Sequence, residues 1–557
     1  MPYELRERKS RTNLALDAKT TDTLSSAAEQ AKTAAVGLIE DADKVINGGG
    51  NGHAHAKPTS RKASPSKITA KGKKMTISDE QKILDFETHH SYEFGGPAGT
   101  LAMMIGFPLL MYYMWISLVF YQGKIVMPAA FDLKSVASFA RTMAFLHAAP
   151  TFKGLQIYGG LVVSQIVLAL VVPGYQQEGL PVPSLNFQKL NYNCNALGCW
   201  YLTLIGAAGL HFSGLFRLSQ IIDHFGEIMT VAIISGYALA LWVYLYTISK
   251  GTAIRMSGNT IYDFFMGASL NPRLAGIDIK MWAEVRIPWI LLAIIALAGV
   301  AKQYDTLGYV TPNQAFMVLA VGLYTNACAK GEECIPQTWD MAYEKFGFML
   351  SFWNLAGVPF TYANSILYMA SNHPSKYTFP LWGNILLYTT ILAAYYVFDT
   401  SMSQKSRFKM QQDGTYRPRN TFPQLPWGTL KDPKYIQTAY GSKLLIDGWW
   451  AYARKPNYTA DLVQSFTWAV CAGFGSPLPY FYPVFFLAVL THRVSRDFER
   501  CHRKYGADWE EYCRIVPAKF IPGVCKSGAI ADVLVIDKRC SLRSLIGCSR
   551  PTPRCTV

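Results

Sequence analysis

The chain has 557 residues and a formal net charge of +16, with 50% hydrophobic, 13% aromatic and 16% charged residues. So few charges beside so many aromatic rings exclude a soluble enzyme of ordinary domains, where charged residues make up about a quarter, and apolar stretches recurring along the chain exclude a single-span receptor. The basic surplus lies in a leading tail, in loops and after the last apolar stretch, which speaks for the water-facing loops of a polytopic membrane protein and against nucleic acid.

Residues 1–80, rich in Ala, Lys, Thr, Ser and Gly and containing the run Gly48-Gly49-Gly50-Asn51-Gly52, read as a disordered basic tail. No apolar stretch follows its first basic residues, so the first span is expected to act as the targeting signal and the tail to stay in the cytosol. Apolar segments follow at 101–121, 155–173, 197–215, 226–248, 285–303, 313–327, 348–370 and 381–399, and a longer one at 460–491. The last exceeds one span and is broken by Ser476-Pro477-Leu478-Pro479, so it is expected to form two spans or a re-entrant hairpin, making an all-α bundle of about ten spans. Charge sidedness agrees: the loop 400–460 is rich in Lys and Arg, the loop 304–312 has none, and basic residues return at 493–514.

No GxGxxG after a strand, no GxxxxGK[ST] and no HExxH occurs, so the usual dinucleotide, P-loop and zincin sites are absent. The eleven cysteines form no CxxC pair, and the pairs His53/His55 and His89/His90 lack acidic or thiol companions at ligand spacing, so no metal is expected.

Two segments are unusual. Residues 445–461 place Trp449-Trp450, Arg454-Lys455, Asn457 and Asp461 before a span, and residues 492–513 place Arg493, Arg496, Arg500, Arg503 and Lys504 among Phe498, Tyr505, Trp509 and Tyr512 after one. A single such segment reads as an interfacial aromatic belt with snorkelling cations. Two of them flanking one apolar hairpin point to a dinucleotide pocket at the cytosolic membrane face, with cations for phosphates, aromatic rings for stacking, and amide and carboxylate for ribose. Asn457-Tyr458-Thr459 is formally a glycosylation sequon, expected to be unmodified on that side.

The runs Gly448-Trp449-Trp450…Asn457-Tyr458-Thr459-Ala460-Asp461 and His492-Arg493…Arg496-Asp497…Cys501…Lys504-Tyr505-Gly506…Trp509…Tyr512 resemble the signature of the sterol reductase family. Tyr92 to Pro97, Ile261 to Gly267 with Leu270-Asn271-Pro272-Arg273, and Phe422 to Trp427 fit as well, so the resemblance covers about residues 85–525. The middle of the chain, with Tyr324 to Glu333, Thr338-Trp339-Asp340-Met341 and Phe352 to Pro359, is similar to the delta-24(24(1)) branch of ergosterol synthesis. Residues 445–525 are closer to the family at large, including its delta-14 members.

The resemblance implies an NADPH-dependent oxidoreductase of the endoplasmic reticulum membrane, multi-pass, with the amino terminus and cofactor site cytosolic. It would reduce the 24(28) double bond of an ergostane-type sterol reached through the bilayer, amid membrane lipids and free to associate with other sterol-synthesis enzymes. Delta-14 reduction and a non-catalytic sterol-binding tether are the alternatives, and a transporter is disfavoured because no internal repeat is visible. The organisation implied is a sterol-pocket region at 85–400, a cofactor region with a membrane hairpin at 401–525, and an atypical tail at 526–557. Family cofactor contacts fall on Lys405, Lys409, Leu445, Trp450, Asn457, Tyr458, Asp497, Cys501, His502, Arg503, Lys504, Tyr505 and Tyr512, with Lys409 standing where the family usually has Arg.

Hydride does not add to an unpolarised alkene, so an acid must protonate it first or in concert. Glu344, Asp340 and Tyr482 are the candidates carried forward, with Glu332, Asp263, Tyr362 and Tyr480 behind them. Against them stands simple ion pairing of Asp340 and Glu344 with Lys345, Lys330 or Arg286. His211 is expected to hydrogen-bond within its span, and Asp223 to pair with Arg217 or His224.

Overall fold

A computed structural model describes residues 92–521, except 129, 131, 133, 140, 142–147, 183, 184, 186, 419 and 420. The tail expected over 1–80, the histidines at 53, 55, 89 and 90, and the segment 526–557 lie outside the described residues. Every expected apolar segment contains helix. In chain order these are α1 (Gly96–Phe120), α2 (Phe152–Val171), α3 (Ala196–Phe212), α4 (Phe225–Ser249), α5 (Thr260–Met266), α6 (Ile279–Leu307) and α7 (Pro312–Lys330). After α8 (Trp339–Tyr343) comes an interrupted helix, α9 (Phe348–Phe352), α10 (Val358–Thr361) and α11 (Asn364–Ser371); then α12 (Leu381–Asp413), α13 (Pro456–Val470), α14 (Phe481–Tyr505) and α15 (Ala507–Ile515).

Five of these, α1, α2, α4, α6 and α12, are long and apolar enough to cross a membrane, and α3 is a shorter apolar helix. The others fall short for visible reasons. Helix α7 carries Asn313, Gln314, Thr325, Asn326 and Lys330, the α9–α11 segment is opened by a π turn at Trp353–Gly357, and α13 has only 15 residues.

Chain chemistry sets the helix ends. Thr151, Asp278 and Thr311 cap α2, α6 and α7 by accepting from the backbone N–H groups of Gly154, Met281 and Gln314. Gly308 and Gly414, both left-handed, end α6 and α12. The apolar window of α6 is 78% buried and those of α2 and α12 only 22%, so α6 is the central helix. Close crossings depend on missing side chains: a Cβ on Gly226 of α4 would stand 2.1 Å from the Trp115 ring of α1.

The expectation of an all-α chain needs correction. Three two-stranded antiparallel sheets are present: β1 (Tyr175–Val182) with β2 (Gln188–Cys194), β3 (Arg273–Leu274) with β4 (Ile277–Asp278), and β5 (Tyr435–Gln437) with β6 (Lys443–Leu445). All three lie in polar connections, where no long apolar run announces them, and β1–β2 is bulged between Glu178 and Pro181.

Polar contacts gather at the two ends of the helices. At one end Arg496 of α14 bridges Glu93 (3.0 Å) and Glu344 (3.1 Å), and Arg493 pairs with Asp340 (2.5 Å). At the other, Ser476 donates to the Gly123 carbonyl (2.6 Å), Lys376 to Gln122 (2.9 Å) and Lys302 to Asp223 (2.7 Å), while Arg217 meets Asp305 (3.5 Å). Asp223 therefore pairs with Lys302 rather than with Arg217 or His224, because α6 brings Lys302 alongside, and His224 faces Glu227 (2.9 Å). His211 Nδ1 accepts from the Leu218 backbone (3.2 Å).

Candidate active site

The last turns of α12, the short turn at Gly448–Ala451, the start of α13 and the second half of α14 meet at the ion-paired end. Gly448, at φ 59°, lets the chain turn where a Cβ would stand 2.4 Å from Gln404 Oε1, and that same oxygen accepts from the Trp449 backbone N–H (2.9 Å). The two tryptophans are then fixed on α12: Trp449 Nε1 donates to Thr400 Oγ1 (2.8 Å) and Trp450 Nε1 to the Ser401 carbonyl (3.0 Å). Lys405 holds its ammonium 4.3 Å over the Trp450 ring, a cation–π contact, and Leu445 is buried with Phe408 and Trp450 in one apolar cluster.

Across from this, Lys455 and Arg500 flank Asp497 at 2.5 and 2.9 Å. Burial works to raise the Asp497 carboxyl, beyond the apolar half of α14, but Lys455, Lys405 and Arg500 together outweigh it and hold the group below the ordinary carboxylate range. Asn457 is buried with its Nδ2 on Met402 Sδ (3.2 Å) and its Oδ1 without a partner. The Lys455 ammonium lies 5.4 Å from the Tyr458 ring, and Lys504 stands over Tyr440 (4.4 Å) and Tyr505 (5.0 Å). Tyr512 is buried against Trp509, and burial raises its hydroxyl.

Of the expected cofactor contacts, Lys405, Leu445, Trp450, Asn457, Tyr458, Asp497, Cys501, Lys504, Tyr505 and Tyr512 thus surround one region. Lys409 gives its ammonium to the Gln337 carbonyl, while His502 and Arg503 are exposed, Arg503 bound to Glu499. Exposed lysines, aromatic rings and an orphaned buried amide oxygen fit a phosphorylated, aromatic, amide-bearing ligand.

The two carboxylic acids carried forward from the sequence sit in ion pairs. Asp340 meets Arg493 and Glu344 meets Arg496, not Lys345, Lys330 or Arg286, because α14 presents both guanidinium groups to that loop. Lys330 binds Asp399, Arg286 binds Glu332 (2.8 Å), and Lys345 donates to the carbonyls of Ile254 (3.3 Å) and Arg255 (2.9 Å). Tyr482 is buried and stacks on Tyr362 with ring centroids 3.8 Å apart.

A different carboxyl stands beside that stack. Asp461 lies one helical turn beyond Asn457 on α13, is 7% exposed, and accepts from the Tyr324 hydroxyl at 3.3 Å through Oδ2, while Oδ1 has no partner. No cation pairs with it among the described residues, so an ionised carboxylate would be uncompensated there. Tyr324 packs against Trp289 (4.7 Å), Phe398 (5.4 Å) and Trp468 (5.8 Å), which keeps the pair in an aromatic enclosure. The sequence signals that could have found it are an acid inside an amphipathic helix start and a Tyr inside an apolar run.

These observations define a helical membrane protein with a cluster of cations and aromatic rings at one end of its helices and a buried carboxyl one turn of α13 beyond Asn457. The chain belongs to the ergosterol biosynthesis ERG4/ERG24 family, whose model matches residues 88–525. It is 44% identical over 456 residues to the Delta(24(24(1)))-sterol reductase erg4A of Aspergillus fumigatus, covering 81% of this chain and 96% of that protein. It is 45% identical over 436 residues to the Delta(24(24(1)))-sterol reductase of Gibberella zeae, covering 78% and 73%. A Delta(14)-sterol reductase of Methylotuvimicrobium alcaliphilum is 33% identical over 432 residues, covering 78% and 96%.

Proposed function

We propose that this protein is an NADPH-dependent sterol reductase that saturates the 24(28) side-chain double bond of an ergostane-type sterol, the last step of ergosterol synthesis. The observation that carries the reading is the single turn of α13 that joins Asn457 of the pocket to Asp461 of the buried carboxyl–phenol pair. Identity of 44% and 45% to two Delta(24(24(1)))-sterol reductases supports the choice of double bond.

NADPH, when bound, supplies the hydride that ends on carbon 24. The chain does the rest. Lys405 and Lys504 would hold phosphates, joined by Lys409 and Arg503 once these leave the Gln337 carbonyl and Glu499, with Trp450, Tyr505 and Tyr512 against the rings. The helix face of Cys501 and His502 would border them, and Asn457, Tyr458 and Leu445 the nicotinamide end, with the Lys455–Asp497 pair fixing that wall. Asp461 Oδ1, free of any partner, gives its proton to the methylene carbon, and the Tyr324 hydroxyl, already donating to Oδ2, stabilises the carboxylate that forms. Tyr362 and Tyr482 shape the apolar chamber that keeps water from the cation at carbon 24.

The helix ends support about ten crossings, with α3, α7, the α9–α11 segment, α13 and α14 added to the five long apolar helices. The loops at the ion-paired end are then the basic, cytosolic ones of an endoplasmic reticulum protein. Residues 85–400 form the sterol-pocket region, which a sterol enters from the bilayer, and 401–525 the cofactor region. Product analysis by gas chromatography and mass spectrometry, on membranes given NADPH and either a 24(28)- or a 14(15)-unsaturated sterol, tests this reading. Loss of the 24(28) alkene alone is expected; loss of the 14(15) alkene alone would make the protein a delta-14 reductase, and no loss would favour a sterol-binding tether.

A further inference from the structure

Helix α13 carries Asn457, Tyr458 and Asp461 in its first turns, yet it starts without a capping side chain. Lys455 stands at the N-cap position, where no side chain accepts from the opening N–H groups, and Pro456 at the first helical position merely has no N–H to satisfy. The start is held from outside instead. The backbone N–H groups of Arg454 and Lys455 donate to the carbonyls of Ala518 (2.9 Å) and Lys519 (3.1 Å), and Thr459 Oγ1, one turn into the helix, donates to the Phe520 carbonyl (2.9 Å). The segment 517–520, which follows α15, thus lies along residues 454–459 as a strap.

One side chain fastens this strap. Arg454 is 5% exposed. Its Nη1 donates to Cys513 Sγ of α15 (2.6 Å), its Nη2 donates to the Pro517 carbonyl (3.1 Å), and its guanidinium stands over the Phe498 ring of α14 (4.8 Å). Lys519 of the strap reaches the same ring (6.0 Å). The neighbouring residues pair in step: Lys455 meets Asp497 (2.5 Å), so Arg454-Lys455 together grip Phe498 and Asp497 of α14. A planar guanidinium can address a sulfur, a carbonyl and a ring at once, whereas the ammonium of a lysine is a single point of charge on a flexible stem.

We propose that the segment 517–520 sets the position of the first turn of α13, and that Arg454 is the positioning residue that holds it there, so that Asn457, Tyr458 and the Lys455–Asp497 wall meet NADPH in register. Arg454 acts through the strap and through α14, not by touching the cofactor. Asp461, a turn further along, keeps its own hold on the Tyr324 hydroxyl, so the effect falls on cofactor binding and spares the chemical step. The inference rests on the reading of these segments as an NADPH site, and the experiment separates the two claims.

In the purified full-length protein, the Kd for NADPH is read from quenching of tryptophan fluorescence, and kcat and the two KM values from product formation. Arg454→Ala is expected to raise the Kd and KM for NADPH about tenfold, with kcat and the KM for sterol little changed. Added methylguanidinium, which refills the vacated space, should bring the NADPH affinity back, and Arg454→Lys should recover little of it. Thr459→Val removes only the side-chain bond to the Phe520 carbonyl and should raise the Kd about threefold; it decides the matter if Arg454→Ala does not fold. An NADPH Kd unchanged in these variants would overturn the strap, as would an Arg454→Ala protein that loses kcat and sterol affinity along with NADPH affinity and does not respond to methylguanidinium. If the wild type itself shows no quenching by NADPH, the cofactor reading fails and the strap's role falls with it; if it does, the variants alone decide.

Discussion

Asp461 has one oxygen on the Tyr324 hydroxyl and the other on nothing, whereas Asp340 and Glu344 are held by arginines. Asp461→Asn and Tyr324→Phe are therefore expected to lower kcat, the first by about a hundredfold or more, with KM for NADPH little changed. Asp340→Asn and Glu344→Gln should mainly loosen the ion-paired end, visible as a lower Tm. Asp497→Ala leaves the nearly buried Lys455 without its partner, so it should raise KM for NADPH and lower stability by about 3 kcal/mol; unchanged KM would remove Asp497 from the pocket. Lys345 is pushed down to about 8, chiefly by burial and then by Arg255. The native state then binds fewer protons than the unfolded one between about pH 8 and the ordinary lysine value of 10.5, so this residue makes stability rise with pH across that window. Urea unfolding of Lys345→Met should show a correspondingly flatter rise. The residues proposed to hold the cofactor stand out in the sequence because all but Lys405 and Lys409 crowd into two short segments. The pairing of Asp461 with Tyr324 was not legible there, although Asp461 stands in the first of those segments, because the contact joins residues 137 positions apart.

Helices were legible wherever an apolar run was long and uninterrupted, as in α1, α4 and α6, and less so where polar residues or turns divide the run. The stretch at 348–370 reads as one span, yet it is opened at Trp353–Gly357 because Gly357 lies against the Trp353 ring, where a Cβ would come within 1.9 Å. The small sheets were missed because strands of two to eight residues in polar loops carry too little periodicity to register. One glycine carries the geometry of the pocket: Gly448→Ala forces a side chain into positive φ and onto Gln404. It should shift both tryptophans off α12 and weaken NADPH binding in a fluorescence titration, while Gly206→Ala in α3, where the added Cβ meets nothing within 4 Å and φ is not positive, should change binding far less.

Among the described residues the ion pairs between elements sort to two ends, and sidedness is the coarse claim to test. Single cysteines placed in the loop after α12 and in the loop between α6 and α7, on a background with native thiols blocked, should label from opposite sides of sealed microsomes, the first from the cytosol. Labelling from the same side would break the ten-crossing reading. Helix α1 is held at both ends by the last hairpin: Glu93 just before it meets Arg496, and Gly123 just after it accepts from Ser476, 353 residues away. During synthesis at about 5–20 residues per second, the first helix therefore waits tens of seconds for the partners that anchor it. A message cut short before residue 476 would leave the opening helix as unanchored as the missing end, so a premature stop late in the gene should send the entire product to degradation and leave no partly active reductase.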